Sequence, residues 1–171
     1  VEAIGSKGNL IIGITGPSGI GKSALTEELL HLFQDDARVI KTECNPSLFN
    51  SPYSLITVLL MNIMNINSTE TRIVKQSRII SYVSYLMADF NEYEVKRNYQ
   101  FISFIMGLDV DKEMRDIISS MDAKAIFHEV ASQLTYFFNE FESKFQSLTI
   151  IEDIQWADTK SLMVWQSFEK G

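Results

Sequence analysis

The chain has 171 residues, 46% hydrophobic and 22% charged, with only 3 prolines and 8 glycines. That balance excludes a disordered, collagenous or low-complexity chain, and a domain of this length buries roughly 70% of its unfolded surface without a metal or disulfide staple. Lys+Arg 15 against Asp+Glu 22 gives a net charge of −7, which argues against a broad phosphate-backbone face and against direct nucleic-acid binding by this segment.

Residues 9–15 (Asn-Leu-Ile-Ile-Gly-Ile-Thr) form a short apolar, β-branched run before a glycine-rich turn, the pattern of a buried strand. A helix is expected over 22–33, with Ala24, Leu25, Leu29 and Leu30 apolar, and a second strand over 38–43, ending in Cys-Asn-Pro-Ser. Residues 9–45 thus read as strand, turn, helix and strand. Residues 52–145 read as a long helical insertion: Ile79, Val83, Leu86, Met87 and Phe90 fall at helix spacing, as do Ile126, Val130, Leu134, Phe137, Phe141 and Phe145. These stripes are expected in the core. Asn67 and Asp122 are candidate helix N-caps, and Gly107 a candidate stop. The last region, 147–171, opens with the strand Leu148-Thr149-Ile150-Ile151 and closes with a helix over 159–169. The predicted fold class is α/β: a parallel sheet flanked by helices, with a long helical insertion.

The phosphate loop is explicit. Residues 16–23, Gly16, Pro17, Ser18, Gly19, Ile20, Gly21, Lys22 and Ser23, match G-x-x-x-x-G-K-[ST] in full. Its glycines permit close backbone approach, so that successive N–H groups form a concave nest for phosphate oxygens at the positive end of the next helix. Lys22 supplies a mobile charge for the terminal phosphates, and Ser23 a hydroxyl ligand for Mg²⁺. The loop follows a predicted strand and precedes a predicted helix, as this chemistry requires.

A second acidic element comes from Glu152 and Asp153, at the C-terminal edge of the last strand, where ligands of such sheets bind. Strand alternation sends the two carboxylates to opposite sides, so they have different tasks. Glu152 stands at the Mg²⁺-associated position and Asp153 at the water-polarising one. On sequence alone the two roles are interchangeable.

Residues 16–25 and 150–162 (Ile-Ile-Glu-Asp-Ile-Gln-Trp-Ala-Asp-Thr-Lys-Ser-Leu) together resemble the signal-transduction ATPases with numerous domains, a branch of the AAA-type P-loop ATPases. An acid pair followed by Trp-Ala-Asp is similar to the ATPase modules of soluble adenylyl cyclases, of large multidomain kinases and of ATP-dependent transcription activators. Asn-Ser-Pro-Tyr-Ser-Leu (50–55) resembles that family's loop after the second strand. The resemblance implies ATP and Mg²⁺ as cofactors, slow hydrolysis, and a regulatory switch that works with other domains of the same chain, with signalling partners or in a nucleotide-dependent oligomer. Asp158 and Trp156 match the tripeptide; Asp158 is expected to cap the next helix and Trp156 to pack beneath the strand end. Three strands are counted where such a domain has about five, and the chain begins at Val1 rather than Met. The expectation is therefore a partial P-loop ATPase domain over residues 1–171, truncated at its C-terminus.

Other readings stay open. A nucleotide or small-molecule kinase would share the phosphate loop, but residues 33–48 carry one arginine, Arg38, where a monophosphate site needs several. A non-catalytic nucleotide-binding interaction module is the other. Residues 55–66 are apolar but too short to span a bilayer and are interrupted by Asn62 and Asn65, so no membrane association is expected; nor is a leader visible. His31, His128 and the single cysteine, Cys44, show no metal-ligand spacing, and Cys44 fits a reducing, cytoplasmic setting.

Overall fold

The computed structural model describes residues 2–6, 9–33 and 35–168. Strands β1 (Glu2–Ser6) and β2 (Asn9–Gly13) precede the phosphate loop and α1 (Lys22–Phe33), after which β3 (Arg38–Glu43) leads into a 3₁₀ turn at Pro46–Leu48. Five helices follow: α2 (Ser54–Ile63), α3 (Arg72–Leu86), α4 (Glu92–Ile105), α5 (Lys112–Ser120) and α6 (Ala123–Lys144). Then come β4 (Ser147–Glu152), a 3₁₀ turn at Ile154–Trp156, and α7 (Thr159–Phe168).

The central sheet is parallel: β3 pairs with β4 from Arg38↔Ser147 to Glu43↔Glu152. Its two faces are covered differently. Ile40, Cys44 and Ile151 face α2 and α7, whereas Glu152 reaches α1 on the other side through a hydrogen bond from Thr26. The run at 9–15 does form a strand, but not a buried member of this parallel sheet. It pairs antiparallel with Glu2–Ser6, in register from Glu2↔Gly13 to Ser6↔Asn9, as a separate two-stranded sheet, and Ile12 is 48% exposed. Pairing two segments adjacent in sequence costs little loop-closure entropy, which favours this local partner.

Helices α2–α6 form the main core. Helix α2 is apolar nearly all round and buries Leu55, Ile56, Leu59, Leu60 and Ile63, as a helix packed on several sides must. Ile79, Val83, Leu86 and Met87 of the α3 stripe are buried, with Phe90 packed at the margin; Val130, Leu134, Phe137 and Phe141 are buried on the α6 stripe, with Ile126 and Phe145 packed against them. Each of α3 to α6 is capped by the side chain of its own N-cap residue: Thr71, Asn91 (a full capping box with Glu94), Asp111 and Asp122. Asp122 thus caps as expected, but Asn67 does not. Its side chain accepts from the backbone and hydroxyl of Thr69 in a turn of its own, and Thr71 starts the helix. Gly107, at φ +66, terminates α4, with Leu108 N–H returning to the Ser103 carbonyl.

Arg38 bolts the sheet to this core. Its guanidinium donates to the Tyr82 hydroxyl at 2.7 Å and to the Ile63 carbonyl, and lies 5.0–5.6 Å from the ring centroids of Tyr82, Phe141 and Phe145. Among the described residues no helix is long and apolar enough to cross a membrane.

Candidate functional site

The phosphate loop owes its path to two left-handed glycines, Gly19 at φ +81 and Gly21 at φ +98. A side chain at either would be strained even though the space around it is open. Helix α1 begins directly behind, with Leu25 N–H donating to the Gly21 carbonyl at 3.0 Å. Lys22 folds its ammonium back onto the loop, donating to Gly16 O at 2.9 Å and Pro17 O at 3.0 Å. Both acceptors are neutral carbonyls of an exposed loop, so the charge has no anionic partner there. Ser18, Ile20 and Ser23 are exposed, Ile20 at 65%. A solvent-facing loop with left-handed backbone, a lysine and a helix N-terminus is an anion-binding arrangement.

The acidic pair divides as strand alternation requires. Glu152 turns toward α1: its Oε1 accepts from Thr26 Oγ1 at 3.1 Å, and its Oε2 pairs with Lys41 Nζ at 3.0 Å. Thr26 stands one helical turn beyond Ser23 and also donates to the Ser23 carbonyl at 2.8 Å. This contact joins the phosphate-loop helix to the end of β4. Asp153 leaves the strand in a left-handed conformation, φ +55, and is exposed; its Oδ1 accepts from Gln155 Nε2 at 3.1 Å. The structure therefore brings Glu152 to α1 but turns the Asp153 side chain along its own loop.

Beyond Asp153, the tripeptide splits into an exposed and a buried part. Trp156 is 43% exposed, so it does not pack beneath the strand end; the 3₁₀ turn carries it outward. Asp158 is 2% exposed and caps α7, accepting from Ser161 N–H at 2.9 Å and Ser161 Oγ at 2.6 Å. Burial pushes its carboxyl toward the neutral form, but the bonds from Ser161, Leu55 and Tyr53 outweigh that and hold it below the usual carboxylate range. Burial foremost, with Asp158, Asp153 and Glu43 adding to it, pushes the Cys44 thiol up, away from a reactive thiolate.

Thr26 and Lys41 were missed by sequence reasoning. Lys41 was legible in principle: it alternates onto the same face as Glu43, and Glu43 stands beside Glu152 in the register. That register joins distant parts of the chain and is not written in either strand. The apolar residues of α1 are less buried than their pattern suggests; the helix buries none fully, and Leu25 is 44% exposed. Among the described residues no group of three or more His, Cys, Asp or Glu could hold a metal by itself, so a cation here would need oxygens from a ligand as well as from Ser23 and Glu152.

Searches of curated proteins and of solved structures returned no match. A family model described as an AAA ATPase domain, however, matches residues 1–168, nearly the whole chain. The α/β fold with its phosphate loop, helix and parallel strand pair accords with that match, and the chain belongs to the AAA ATPase domain family.

Proposed function

We propose that this chain binds ATP with Mg²⁺ and hydrolyses it slowly, as a regulatory switch within a larger multidomain signalling protein. The observation that carries the reading is the junction of the two motifs: Thr26, one turn beyond Ser23, hydrogen-bonds to Glu152 at the end of β4. In this reading the N–H groups of the 16–23 loop receive the phosphates, and Lys22 exchanges its two carbonyl partners for phosphate oxygens. Ser23 and Glu152 would hold Mg²⁺, which supplies charge neutralisation across the terminal phosphates. Asp153 orients and deprotonates the attacking water once its side chain leaves Gln155. An arginine supplied by another domain or subunit would raise the rate by roughly 10³–10⁵.

A second reading, nucleotide binding without turnover, is favoured by one observation. Both Glu152 oxygens are already engaged, by Thr26 and by Lys41, and Asp153 is turned aside. Titration calorimetry of ATP with Mg²⁺ into the wild type and into Lys22→Ala tests the shared part. The expected result is binding in the wild type and a loss of about tenfold or more in the variant, since the only cation in the loop is removed; equal affinities would overturn both readings. Phosphate release then separates them: turnover abolished by Asp153→Asn supports the switch, and no wild-type turnover supports nucleotide binding alone.

A further inference from the structure

Helix α2 is the exception among the helices of the core. Its N-cap residue, Tyr53, sits at φ +62 and offers no side-chain cap. The missing cap is supplied from about a hundred residues away. Asp158 Oδ1 accepts from Tyr53 N–H at 2.8 Å and Ser161 N–H at 2.9 Å, while Oδ2 accepts from Ser54 Oγ at 3.0 Å, Leu55 N–H at 3.2 Å and Ser161 Oγ at 2.6 Å. One buried carboxylate therefore caps two helices, α7 from within and α2 from across the fold, and stands near the positive ends of both. Only a carboxylate suits five converging donors, because it accepts on both oxygens and donates from neither.

The same residue ends the loop that carries Asp153. At its start, Cys44 N–H donates to the Glu152 carbonyl at 3.0 Å, extending the sheet. Within it, Trp156 N–H returns to Asp153 O at 2.9 Å and Ala157 N–H to Ile154 O at 3.0 Å. Ala157, 3% exposed, packs with Cys44 and Leu55. A left-handed, non-glycine conformation such as that of Asp153 is strained and persists where its surroundings over-determine it.

We propose that Asp158 is a positioning residue for hydrolysis: by capping α7 and α2 together it pins the 153–157 loop and holds Asp153 in its left-handed conformation beside the nucleotide site. The inference rests on the ATPase reading above, and its test separates the two. Asp158→Asn is nearly isosteric but places an NH₂ where one set of donors converges. It is expected to lower kcat for ATP about tenfold or more, with KM and the helical circular-dichroism signal little changed, as for a lost interaction that matters only in the transition state. Tryptophans occur only at 156 and 165, so in a Trp165→Phe background Trp156 alone reports on the loop. Its fluorescence anisotropy is expected to fall when Asp158→Asn is added, nucleotide or none. Should Asp158→Asn lose its helical signal, Ser161→Ala, which removes one hydroxyl donor and leaves the carboxylate, carries the test with a smaller kcat loss in the same sense. Wild-type turnover no greater than that of Lys22→Ala overturns the ATPase reading, and the positioning role with it. Wild-type turnover matched by the folded variant, or a rise in KM at constant kcat, overturns the positioning role alone.

Discussion

The helical layer and the phosphate-loop half of this molecule are built to opposite specifications. In α2–α6, side chains as large as Phe101 and Phe137 are 0–1% exposed, and the helices are capped. In α1 no residue is fully buried, Leu25 and Leu32 are 44% and 62% exposed, and the preceding hairpin shares no sheet with β3 and β4. Stability is therefore concentrated where the motif chemistry is absent. The phosphate-loop residues occupy a part of the fold with little local burial, the part expected to open first.

The largest test of that division is Phe137→Ala. Phe137 is 0% exposed in the main core, and its truncation should cost roughly 3–5 kcal/mol and lower Tm by roughly 10 °C; a calorimetric scan showing no shift would break the comparison. Gly21→Ala probes the other half. At φ +98 an alanine there costs about 1–2 kcal/mol locally. ATP affinity should fall while the main unfolding transition stays in place, and a matching drop in Tm would show that the loop is coupled to the core.

Acid sharpens the comparison at the junction of the two halves. Asp158 is held below the ordinary carboxylate range, as are Glu129, chiefly by Arg97, and Asp111, chiefly by the Met114 N–H. A depressed folded-state value stabilises fully above the unfolded pKa, and that contribution is lost as pH falls through the folded one. Urea midpoints should therefore decline between about pH 5 and pH 2, and Asp158→Asn should flatten part of that decline. The smallest effect is expected from Lys41→Ala. Its pair with Glu152 is 39% and 23% exposed, so denaturation should register a change of about 0.2–1 kcal/mol.

Local signals made much of this legible. The helix at 22–33 and the strand at 38–43 emerge with their expected bounds, because apolar spacing and flanking turns lie within each segment. The α3 and α6 stripes likewise declared themselves as core. Strand β1 was not seen, since Glu-Ala-Ile-Gly-Ser lacks an alternating apolar pattern. The phosphate loop was legible because its residues are contiguous. Lys41 and Thr26 were not, because what brings them to Glu152 is the packing of three elements far apart in the chain. Trp156 misled for a related reason: an aromatic residue after a strand suggests packing, and only the 3₁₀ turn shows that it faces outward.

The pairing of β3 with β4 also dictates an order of events. These neighbours in the sheet are separated in the chain by all of α2–α6, and closing so long a loop is entropically unfavourable until its contents have collapsed. The helices, rich in short-range contacts, are expected to condense first, with the sheet zipping across them afterwards. In that order the last strand to dock would deliver Glu152 to α1 as folding ends. In stopped-flow refolding of the Trp165→Phe variant the Trp156 fluorescence change should lag behind the helical circular-dichroism signal, and simultaneous phases would refute that order. A nascent chain would accordingly acquire its acidic site only after its helices are in place.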